Sequence, residues 1–221
     1  MKRFLSFATA LSLSILVGPV VAGGGGRVLP PNATPHGYSL ADMARAVALF
    51  TTSFNDPDFY PDTPFQILYA DASSFAFDVE GDTLIESGSN TITVKAGTAF
   101  YMPMFNIDDS PPIIGNFPTR SRDAAGYVFD EDQLGLEDAE VVVDGQATEI
   151  GAAYLVGPVR TPPLNDGGGT HIITLGVFIA PLSVGTHTIS FSGEYTGDLV
   201  GPAVGSPNFA ADFTYTVRVV P

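Results

Sequence analysis

The side chains best suited to chemistry in this chain are His171 and His187, with Asp166 shortly before the first of them. Two imidazoles and a carboxylate form a ligand set that a catalytic transition metal accepts, provided neighbouring strands bring them together. Their spacing matches none of the short motifs that fix zinc ligands, so convergence would rest on the fold alone. Calcium makes a different demand, roughly six to eight oxygens drawn from carboxylates and loop carbonyls. The chain crowds Asn55, Asp56, Asp58 and Asp62 into one loop, Asp108 and Asp109 into another, and Asp130, Glu131 and Asp132 into a third. None of these follows the EF-hand pattern. Calcium is nevertheless the better ionic candidate, as a structural ion, and the candidate ligands for any metal are Asp56, Asp58, Asp62, Asp166, His171 and His187.

Nucleophilic catalysis has less to draw on. No G-x-S-x-G elbow occurs, and Ser190, three positions from His187 on an alternating strand, points to the opposite face. The absence of cysteine excludes thiolate zinc sites, thiol nucleophiles and iron–sulfur clusters. No pair of carboxylates is singled out for glycoside cleavage. Sugar stacking would fall to Phe59, Tyr60, Phe65, Tyr69, Tyr101 and Phe105, since the chain has no tryptophan. No catalytic residue is therefore assigned.

Charge narrows the partners. The chain has nine basic and 24 acidic residues, a net charge of −15. Such a surface repels phosphate backbones and anionic lipid, which excludes nucleic-acid binding. Lys2 and Arg3, the apolar run Phe4 to Val17, the break at Gly18-Pro19 and the small-residue step Val20-Val21-Ala22 predict a cleaved signal peptide over residues 1–22. Its loss would leave seven basic residues against 24 acidic ones, a net charge of −17. The destination is secreted or periplasmic. The apolar run falls short of the roughly 20 residues of a membrane span, so none is expected after cleavage.

The elements that must position these residues follow from hydrophobic period. Residues 23–37, GGGGRVLPPNATPHG, have no period and predict a flexible leader. Ser39 with Asp42 forms a capping-box pattern, and Leu40, Met43, Val47, Phe50 and Phe54 make one apolar stripe, predicting an amphipathic helix over about 39–54. From Pro64 onward about ten short alternating segments are separated by turn chemistry, including Glu80-Gly81-Asp82, Ser87-Gly88-Ser89 and, most clearly, Asp144-Gly145. These predict one mainly β domain over 38–221, an Ig-like or jelly-roll-type antiparallel β-sandwich with one N-terminal helix. In its final strand Phe213, Tyr215, Val217 and Val219 share the inward face; in the preceding one His187, Ile189, Phe191 and Tyr195 do. His187 thus stands in line with core residues, where it is expected to bond a nearby loop carbonyl and tether the turn at Gly185.

Four stretches, AGTAFYMPMFN (96–106), VVVDGQATEIG (141–151), FIAPLSVGTHTISFSGEYTG (178–197) and DFTYTVRVV (212–220), occur in an order that resembles a family of uncharacterised exported bacterial Ig-like β-sandwich proteins. The likeness covers roughly residues 90–221. It implies an exported sandwich with His187 and Asp144 as polar landmarks, and it supplies no catalytic residues. The tryptophan-rich helices of some members are absent here. The resulting expectation is a non-enzymatic exported module that binds an extracellular ligand, carbohydrate or protein, or serves a structural role. The alternative is a secreted hydrolase or lyase, carbohydrate-active and possibly metal-dependent, with its site at a loop-rich end.

Overall fold

The computed structural model describes residues 27–221, so the signal-peptide expectation over 1–22 lies outside the described residues. Ten strands form two sheets. The four-stranded sheet has the order β1 (Phe65–Ile67), β4 (Ala99–Asp108), β8 (His171–Ile179), β7 (Leu155–Arg160). The six-stranded sheet runs β2 (Ala76–Glu80), β3 (Thr83–Lys95), β10 (Asn208–Val220), β9 (Gly185–Tyr195), β5 (Leu136–Val143), β6 (Gln146–Glu149). The two pack face to face, as alternation requires: Phe213, Tyr215, Val217 and Val219 are all buried, as are Ile189, Phe191 and Tyr195 opposite them on β9. Both sheets are mixed, however. β1 runs parallel to β4, and β3 runs parallel to β10 over thirteen paired positions.

That long pairing changes how β3 is read. Ser87-Gly88-Ser89 is extended backbone inside one strand, because β10 hydrogen-bonds along its whole length. One phase then governs β3, and Leu84, Glu86, Gly88, Asn90, Ile92 and Val94 share the face that carries the buried residues Ile92 and Val94. At Asp144-Gly145, by contrast, the two left-handed residues (φ 49° and 81°) close the β5–β6 hairpin as expected.

The helix α1 (Leu40–Thr51) begins at the predicted capping box, Ser39 Oγ accepting from the Asp42 amide at 3.2 Å and Asp42 Oδ2 accepting from the Ser39 amide at 3.0 Å. It stops before Phe54, whose backbone is left-handed and whose ring is 80 % exposed. Leu40, Met43, Val47 and Phe50 pack onto Phe65, Tyr101 and Phe178, covering the outer face of the smaller sheet. β8 is consequently buried on both sides, which is why HIITLGVFI reads as an almost unbroken apolar run. Although residues 23–37 show no period, the part from Arg27 onward is held on that sheet: Ala180 donates to the Arg27 carbonyl and Leu29 to that of Phe178. Two further helices are α2 (Ser121–Phe129), packed against β7 and β5, and α3 (Val200–Val204), packed against β10.

Candidate functional site

A cavity of about 440 Å³ lies between the sheets beside α3. Its walls come from both layers because β4 carries a bulge. Pro103 has no N–H for the ladder, and the register to β8 slips between Pro103 and Phe105. The extra residue switches the phase of β4. Phe100 and Met102 face inward before the bulge, and Phe105 packs edge-on against Phe191 and Tyr195 of the opposite sheet after it. Glycine makes room for these rings. A Cβ on Gly88 would come within 2.8 Å of the Phe213 ring, and one on Gly193 within 2.9 Å of Phe105. Phe54 and Val204, both lining residues with exposed side chains, mark where the cavity reaches the surface.

The wall is mostly apolar, with a few polar groups of particular placement. Tyr195 is 7 % exposed, and its hydroxyl has no hydrogen-bond partner. An orphaned buried hydroxyl is uncommon, because leaving it unpaired costs about 1–3 kcal/mol. Glu86 occupies an inward position of β3 in line with Ile92 and Val94, and burial pushes its carboxyl above the usual range. Asp108, at the end of β4, is pushed up first by burial and further by Asp166 beside it; the Ser110 hydroxyl and amide act in the opposite direction. Asp166 reaches this corner by accepting from Ser110 Oγ at 2.8 Å. Outside the lining, Tyr127 of α2 donates its hydroxyl to the Ile114 carbonyl and is pushed up to about 12 by burial and the neighbouring Asp108. No Lys, Arg or His lines the cavity among the described residues.

The residues proposed for metal binding are placed differently. His171 Nδ1 lies 2.9 Å from Asp109 Oδ2, and Asp109 Oδ1 accepts from the amides of Thr170 and His171. This carboxylate clamps the start of β8. His187 belongs to the other sheet, bonded to Asp144 and the Ser183 carbonyl, eight residues and about 26 Å along β9 from Tyr195. His171 and Asp166 therefore share one corner, and His187 does not join them. Asp56 is spent on the amide of Asp58, capping a short turn, while Asp58 and Asp62 are exposed. Among the described residues no group of three or more His, Asp or Glu is arranged to hold a metal ion. Of the aromatics considered for sugar stacking, Phe65, Tyr101 and Phe105 are buried, leaving Phe59, Tyr60 and Tyr69 partly exposed.

Tyr195 was legible as a core position, but the cavity residue Glu86 was not. The apparent turn at Ser87-Gly88-Ser89 hid its phase; reading residues 83–95 as one strand puts a carboxylate among core positions, a signal the sequence did contain. The chain matches no family model, no curated protein and no solved structure.

Proposed function

We propose that this is an exported binding protein that holds a small amphipathic molecule in the cavity between its sheets. The observation that carries this reading is the largely apolar chamber between the sheets, open to the surface beside Phe54 and Val204, with the half-buried Glu86 carboxyl on its inward wall. A sandwich under selection for stability alone fills such a space, because voids destabilise. The chamber falls in the size range of small-molecule sites, and its pattern of apolar wall with a few orienting polar groups is the usual one.

The test is a titration of the purified protein with the neutral fluorescent probe N-phenyl-1-naphthylamine. Saturable enhancement with one-to-one stoichiometry is expected, and Ala211→Phe, which places a ring in the chamber, should abolish it while the protein still melts cooperatively. Enhancement that survives in Ala211→Phe would place the probe elsewhere and defeat the proposal.

One arrangement favours the hydrolase reading as an alternative. Asp108 and Asp166 meet at the cavity, where burial raises the Asp108 carboxyl above its usual range, and a neighbouring pair of carboxyls is an arrangement that acid–base catalysis uses. Turnover of chromogenic esters or glycosides that disappears in Asp108→Asn would support it.

A further inference from the structure

Resting on the cavity reading, we infer that the occupant is a cationic amphiphile: a protonated amine on an apolar body. The chamber offers three carboxyl side chains, Glu86, Asp108 and Asp166, and no basic one. None of the three takes part in an ion pair among the described residues; the five that exist involve Asp42, Asp109, Asp123 and Asp144. Glu86 is the most telling. It stands on the inward row of β3, half-buried, and its carboxyl accepts no hydrogen bond from a basic side chain among the described residues. A carboxylate turned toward a core is unfavourable unless something pairs with it. Among the described residues no basic side chain pairs with it, which suits the site to a cationic ligand.

Two other features agree with a cation. Phe191 and Phe213, stacked at 4.9 Å and 12°, both line the chamber, and aromatic rings attract cations in desolvated sites. The net charge of −15 draws cations toward the opening and repels fatty-acid-like anions. An anionic head would be desolvated against three carboxyls, and a purely apolar molecule would leave them unpaired.

The experiment uses three molecules with one tail and different heads, octylamine, octanol and octanoate, each competing with N-phenyl-1-naphthylamine for the purified protein at pH 7. Octylamine should displace the probe at a concentration about tenfold below that of octanol, as a charge-assisted hydrogen bond would give, with octanoate the weakest. In the double variant Glu86→Gln/Asp108→Asn the ratio of amine to alcohol should fall close to one. If the preference persists there, it belongs to the overall charge of the protein and the inference is overturned. Equal displacement by all three, or strongest displacement by octanoate, likewise overturns the charge class while leaving the cavity reading intact. Failure of the probe itself to bind removes both.

Discussion

His187 and Asp144 join the two ends of one hairpin and strand: the imidazole Nδ1 lies 2.6 Å from Asp144 Oδ2, and Nε2 lies 2.9 Å from the Ser183 carbonyl. Carboxylate and carbonyl oxygens only accept, so both bonds form together only when both ring nitrogens carry protons. Asp144 also accepts from the Thr188 amide at 2.9 Å, so the residue that makes the tight turn possible also ties that turn to β9.

Burial opposes the charge on His187, but the hydrogen bond to Asp144, the Ser183 carbonyl and the Asp144 charge outweigh it, and its pKa is raised. A folded value above the unfolded value of 6.5 means the contribution is complete below that pH and is lost as pH rises through the folded value. Urea unfolding should therefore show stability falling across this window, and His187→Gln should flatten the dependence. His187→Ala should lower stability by about 1–2 kcal/mol at pH 6.

Asp109 is expected to matter more than its position in an acidic loop suggests. Burial pushes its carboxyl up, yet the amide and ring of His171 and the amide of Thr170 bring it below the usual range. A lowered folded value gives stability that is present above the unfolded pKa and is lost as pH falls through the folded one. Asp109→Ala should destabilise by about 2 kcal/mol at pH 7, read from the shift in urea midpoint, by freeing the start of β8.

Glu86 and Tyr195 should behave in the opposite sense. Because burial raises the Glu86 carboxyl, its ionisation works against folding, and that penalty grows as pH rises through the folded value. Glu86→Leu should raise the melting temperature, by more at pH 8 than at pH 4. Calorimetry at the two pH values checks it.

Tyr195→Phe retains the ring that packs on Phe105 and removes the unpartnered hydroxyl. It should stabilise the protein by about 1 kcal/mol and leave octylamine binding unchanged, because the hydroxyl is sealed from the chamber. A thermal melt and the competition assay together check the two outcomes.

The sandwich was legible because period-two alternation survives in β9 and β10, from Ile189 to Tyr195 and from Phe213 to Val219. The capping box at Ser39 and the Asp144-Gly145 turn were legible because each satisfies a local backbone requirement. The parallel pairing of β3 with β10 was not, since it joins segments over a hundred residues apart and leaves no local mark. α2 carried a faint signal in the spacing of Ala124, Tyr127 and Val128. The cavity depends on a bulge at Pro103 and on glycines facing rings, a relation between sheets that no single segment contains.

The most direct measurement is an amide and aromatic NMR titration of the protein with octylamine. Shifts that saturate at one equivalent and cluster on Phe105, Tyr195, Phe213 and the β3 segment around Glu86 are predicted. Shifts confined to exposed acidic positions such as Asp58, Asp62 and Glu131, with Tyr195 and Phe213 unmoved, would contradict the account.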